Sequence, residues 1–231
     1  MKKSYIVFPG LLLMSFSLSS YAQKAEKAKS EVKTAASANA DVHAKAAQFV
    51  ASLNLTDTAK AARVTAVIET HMAAVHDWHN SHPYTLTPEG INPITGKVFS
   101  KLERELIVDS TIPNAVHDEL MKGLRRDLTE EQVDQILDKY TIGKVAFTMN
   151  GYKSIIPDLT STEETEILTN LKLAREQAVD YKDIKEVSII FKIYKTKIED
   201  YLNTHGRNWK VMYKTYVDKA LAEKAAGKKE K

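Results

Sequence analysis

The chain has 231 residues, no cysteine, and 33 basic against 30 acidic side chains. Without cysteine there is no disulfide, no thiolate nucleophile or metal ligand, and no lipidation site. Without Lys2 and Lys3 the 33 basic residues become 31 against 30, so the rest is close to neutral and lacks the basic face that nucleic acid requires as a partner.

Residues 1–22 read as a signal peptide: Lys2 and Lys3, an apolar run from Tyr5 to Leu18, then Ser20 and Ala22 at the −3 and −1 positions before Gln23. Pro9 and Gly10 interrupt that run, which falls short of the ~20 apolar residues of a retained span. No second such run follows. The expected address is therefore secreted, in the periplasm, with no membrane insertion. Residues 23–40 contain one aliphatic side chain larger than alanine, Val32; they cannot bury enough surface to offset chain entropy and read as a disordered spacer. Residues 41–222 carry the helical domain, and the basic tail 223–231 reads as a frayed end.

Val42, Ala46, Phe49, Val50 and Leu53 recur at helical spacing until Asn54. Thr56 is the expected cap of a second helix that carries Val64, Val67, Ile68, His71, Val75 and Trp78 on one stripe. A loop over 82–98, with three prolines and two glycines, reads as a surface excursion or a lid. Its GINPITGK portion lacks the glycine spacing of a phosphate loop. Helices are expected over 99–109 and 113–126, the latter with Pro113 where a missing amide costs nothing. Thr129 with Gln132, and Thr160 with Glu163, predict capping boxes. Gly143, Gly151 and Pro157 punctuate the segment between, where a short helix or turn fits better than a strand.

Ile167, Leu171, Ala174, Ala178 and Tyr181 form one heptad-like seam, and Ile184, Val187, Phe191, Tyr194, Ile198, Tyr201 and His205 a second. Asp183 and Glu186 predict a capping box between them, so a break near 180–183 and an antiparallel pair are expected. The alternative is one continuous helix, because no Gly or Pro occurs between 158 and 205. Gly206 ends the second helix, and Asn208 caps a last one. No segment alternates with period two. The expectation is an all-α, single-domain bundle of about eight helices, with its oligomeric state open.

Four of the seven histidines fall between His71 and Tyr84. At ~100° per residue, His71, Val75, Trp78 and His82 lie within about 60° of one another, His76 and Asp77 point away, and His79 sits on the shoulder. His76, His79 and His82 have i, i+3 spacing, but no third ligand in a fixed place is evident, since the residue before Pro83 leaves helical geometry. The expectation is no metal and no cofactor. His205, Gly206, Arg207, Asn208 and Trp209, with Tyr213 one turn on, form a second polar-aromatic group. Sugars offer an apolar face for an aromatic ring and hydroxyls for His, Asn and Arg. Trp78, His79, His82 and Tyr84 are therefore expected as one wall of a ligand groove, and Arg207, Asn208, Trp209 and Tyr213 as the other. If there is catalysis, His79 or His205 is the candidate base.

The segments AAQFVASLNLTDTAKAARVTAVIETHMAAVHDWHN, KLERELIVDSTIPNAVHDELMKGLRRDLTEEQVDQILDKYTIGKVAFTMNGYKSIIPDLT and YKTKIEDYLNTHGRNWKVMYKTYV resemble a family of uncharacterised secreted bacterial proteins, a domain of unknown function to which sugar binding is ascribed. The resemblance spans about residues 42 to 218, and HDWHN and HGRNW are its most specific pieces. It implies a saccharide partner and a role in polysaccharide use, with no ligating or catalytic residue to carry over. Leu128-Thr129-Glu130-Glu131-Gln132 also resembles the L-T-x-x-Q motif of periplasmic helical chaperones. Three readings stand open: saccharide binding, a hydrolase or lyase working in the same groove, and a chaperone-like protein.

Overall fold

The computed structural model describes residues 40–226. The expected signal peptide and nearly all of the spacer lie outside the described residues. From Lys45 onward the chain forms one compact unit.

Among the described residues there is no β-strand, only one isolated bridge between Ile91 and Val98. The helices are α1 (residues 40–51), α2 (Thr58–Ser81), α3 (Lys101–Asp109), α4 (Asn114–Asp127), α5 (Glu130–Tyr140), α6 (Lys144–Ile155), α7 (Ser161–Ala178), α8 (Ile184–Thr204) and α9 (Trp209–Ala226). The all-α class holds, and the described helices include nothing long and apolar enough to cross a membrane.

Capping chemistry sets most of the boundaries. Thr129 with Gln132, Thr160 with Glu163 and Asp183 with Glu186 form the expected capping boxes, and Ser100 with Glu103 forms a fourth. Each pairs two backbone amides that a helix start otherwise leaves without partners. Asp57, not Thr56, caps α2: its carboxylate accepts the Lys60 amide at 2.9 Å. The segment expected as a short helix or turn is the helix α6, entered through Gly143 in the left-handed region at φ 64°. Chain 158–205 is two helices, broken over 179–183. At the far end, Gly206 at φ 89° lets the Arg207 amide reach back to the Leu202 carbonyl at 3.0 Å.

Two apolar clusters make the core. One gathers Phe49, Ile68, Leu120, Leu124 and Ile136 from α1, α2, α4 and α5. The other gathers Tyr152, Ile167, Leu171, Phe191 and Ile198 from α6, α7 and α8, with Trp209 packed on it. In the first, α2 and α4 approach closely because position 123 is glycine: a Cβ there would meet both Val67 methyls at 2.7 Å. Between the clusters, buried Arg175 on α7 pairs with Asp134 and Asp138 of α5. In the second, the α7 and α8 seams face each other. The turn after α8 meets the start of α7 through Arg207 and Glu163, which fixes the pair as antiparallel.

Candidate functional site

His71 and His79 lie eight residues apart on α2, or about 12 Å along its axis. The corner between α7 and α8 brings Asp180 to His71, and the first turn of α8 brings Glu186 into the group around His79. Asp180, in the corner, accepts from His71 Nε2 at 3.0 Å and from His117 Nδ1 of α4 at 2.8 Å. His71 is 3% exposed, and a buried imidazole needs both nitrogens paired. With Nε2 donating to Asp180, Nδ1 accepts from the Tyr140 hydroxyl at 3.2 Å. Burial pushes the Asp180 carboxyl up, but hydrogen bonds from His117 and His71 outweigh it and hold the group below its ordinary value. The Asp180 carboxylate in turn raises His117 against the opposing effect of burial, with Glu176 adding to it.

The second cluster forms around His79. Its Nδ1 is 2.9 Å from Oδ2 of Asp109, the last residue of α3, and Glu186 in the first turn of α8 completes the group. Asp109 is 4% exposed and Glu186 1%, while the His79 side chain keeps 26% of its surface. Glu186 uses Oε2 in the capping box, accepting the Asp183 amide at 3.3 Å. Its Oε1 is buried with no hydrogen-bond partner. Burial, and then the facing Asp109 carboxyl, raise Glu186 well above the usual carboxyl range, because two carboxylates so placed cannot easily both be charged. Tyr181, close by in the same corner, is pushed up to about 12, chiefly by burial.

This cluster opens on a cavity of about 230 Å³ lined by His79, Asn80, His82, Pro83, Tyr84, Glu105 and Asp109. The start of the long loop thus borders the cavity through Pro83 and Tyr84. Arg104 fastens the next part of the loop to α3, donating to the Thr87 carbonyl at 2.7 and 2.9 Å and lying over the Tyr84 ring, 5.0 Å from its centroid. Trp78 does not line the cavity. It stacks on His82 with ring centroids 3.6 Å apart, and its indole N–H is buried without a partner. His76 stays outside, 41% exposed and bonded by the Asn80 amide at 3.1 Å.

The expected second wall lies elsewhere. Glu186 and His205 are nineteen residues apart on α8, which places them about 28 Å apart. One groove therefore does not unite the two groups. Arg207 spends its donors on Glu163, at 2.7 and 2.9 Å, and on Asp158, at 3.0 and 3.1 Å. Asn208 accepts the Val211 amide as a cap, and Trp209 packs on Tyr152 with ring centroids 5.2 Å apart. Tyr213 stacks on Trp209 and is half exposed. His205 caps α8, its Nδ1 bonded to the Tyr201 carbonyl at 2.8 Å.

Sequence reasoning assigned Glu186 only to helix capping, a role that its second oxygen does not serve. It missed Asp180, His117 and Tyr140. The available signal for those three was His71 itself, an inward-facing histidine that requires polar partners.

Fold and site define an all-helical domain with a His-Asp-Glu cluster, both carboxyls buried, beside a small polar-aromatic cavity. Residues 39–222 match the family described as "Protein of unknown function (DUF3826)", and the chain belongs to that family. No curated protein matches the chain.

Proposed function

We propose that this is a secreted saccharide-binding protein associated with polysaccharide use, and that its ligand occupies the cavity beside His79. The leader sequence supports secretion. The lining of the cavity supports the ligand class: the Tyr84 ring offers a face for a pyranose, while His79, Asn80, His82 and Glu105 offer hydroxyl partners. At about 230 Å³ the cavity suits a single ring or a chain end, since pockets that bury drug-sized ligands run from ~300 Å³ upward. The test is calorimetric titration with neutral and acidic oligosaccharides. Binding that falls at least tenfold in Tyr84→Ala and in Asn80→Ala supports the assignment, whereas no binding to any member of the panel overturns it.

The His79–Asp109 bond favours a second reading, in which the same cavity processes its ligand. A carboxylate at Nδ1 fixes the orientation of an imidazole and leaves Nε2 for proton transfer. Product analysis after incubation with the oligosaccharides decides it: chain cleavage that disappears in His79→Gln is the expected result, and unchanged substrate throughout would retire this reading.

A further inference from the structure

We propose that His79, Asp109 and Glu186 bind a divalent first-row metal cation, of which Mn²⁺ and Zn²⁺ fit the donors best. One ligand atom from each residue lies within 4.8 Å of the other two. Two ligands on one ion stand at most about 4.2 Å apart, twice a ~2.1 Å bond, so small side-chain rotations close the set on a single centre. His79 Nδ1 and Asp109 Oδ2, at 2.9 Å, are already spaced like neighbours in such a shell.

The independent observation is Glu186 Oε1. It is a carboxyl oxygen on a side chain with 1% exposure, with no N–H, hydroxyl or cation among the described residues as partner and the Asp109 carboxyl beside it in the same cluster. Leaving such an atom unpaired costs free energy. Among the described residues, no Lys or Arg forms an ion pair with Asp109 or Glu186; Asp109 meets His79 and the Glu186 carboxyl. A cation of charge two would let both carboxyls ionise and would give Glu186 Oε1 a partner. One imidazole with two carboxylates is a donor set between the oxygen-rich sites of Mn²⁺ and the nitrogen-bearing sites of Zn²⁺. Three protein ligands also leave positions free. The cavity that His79 and Asp109 line gives water or a ligand oxygen access to them, an arrangement typical of reactive rather than purely structural metal sites.

This inference does not depend on the saccharide reading, because metal binding is measured without sugar. Full-length leaderless protein, stripped with chelator, is dialysed against Mn²⁺ or Zn²⁺ and assayed for bound metal. One equivalent is expected. Glu186→Gln, which preserves size and leaves a capping acceptor, should weaken binding at least tenfold, and His79→Ala should abolish it. His76→Ala, on the exposed face of α2, should bind as the wild type does. Circular dichroism checks that each variant is folded. Should His79→Ala fail to fold, the spectrum of Co²⁺ bound to the wild type serves instead: mixed nitrogen and oxygen coordination supports the site, and a purely aqueous spectrum counts against it. Absence of stoichiometric metal in the wild type, or loss of binding in His76→Ala with retention in Glu186→Gln, overturns the proposal.

Discussion

The two ends of α8 carry similar residue types and use them in opposite ways. At the C-terminal end, Arg207 meets two carboxylates, Asn208 caps a helix and Trp209 fills the core. At the N-terminal end, Glu186 and Asp109 face each other beside one histidine, and both Glu186 Oε1 and the Trp78 indole N–H lack partners. Composition does not separate a structural corner from a functional one. The distinction lies in whether the polar atoms pair with one another inside the protein. A corner whose polar groups are mutually satisfied stabilises the fold, whereas one that leaves buried groups unpaired is where a ligand has something to supply.

The largest expected effect comes from breaking the satisfied corner. Arg207→Ala leaves Glu163, 7% exposed, without its cation and should cost about 2 kcal/mol or more, lowering the melting temperature by several degrees without altering metal binding. At the other end the sign reverses. Glu186→Gln removes a carboxyl that faces another carboxyl, and in the presence of chelator it should stabilise the protein by about 0.5–2 kcal/mol, the range of a single stabilising substitution. Loss of stability there would show that the cluster serves folding instead.

Smaller effects appear in the dependence on pH. Arg207 holds Glu163 down to about 2 from an ordinary 4.5. The stabilisation is therefore present above 4.5 and lost as pH falls towards 2, and Arg207→Ala should flatten that limb of a thermal-melt series. His117 is raised above 6.5 by Asp180. Its contribution is full below 6.5 and fades as pH rises through the higher value, so His117→Gln should remove a decline in stability on the neutral-to-alkaline side. Smallest of all, Tyr213→Ala should change stability by no more than about 0.5 kcal/mol, since the ring is half exposed on α9; a larger loss would mean that the Trp209–Tyr213 stack anchors the last helix.

Much of the fold was legible because its determinants are local. Thr129, Thr160 and Asp183 each carry their capping partner three residues away, and the α7 and α8 seams repeat at a fixed period, so both pattern and boundary are written in short stretches of sequence. Thr56 was a near miss because the neighbouring Asp57 competes for the same cap and has the charged acceptor. The inward direction of His71 and the outward direction of His76 followed from helical phase alone. The site was only half legible. His79, His82 and Tyr84 line the cavity, but Asp109 and Glu186 join His79 from α3 and α8, thirty and more than a hundred residues further along the chain. No periodicity reports which helices become neighbours, and that is also why two similar groups of residues were expected in one groove when α8 holds them about 28 Å apart.

If ligand uptake occurs at the N-terminal end of α8 and not at its C-terminal end, a bound ion will be felt at one end alone. Titrating the protein from Gln23 onward with Mn²⁺ while recording its amide NMR spectrum separates the two ends, because the paramagnetic ion broadens signals near where it binds. Amides around His79, Asp109 and Glu186 are expected to broaden first, below one equivalent, while those from His205 to Tyr213 stay sharp. Broadening centred on His205 to Tyr213, or spread over the surface without a centre, would contradict it.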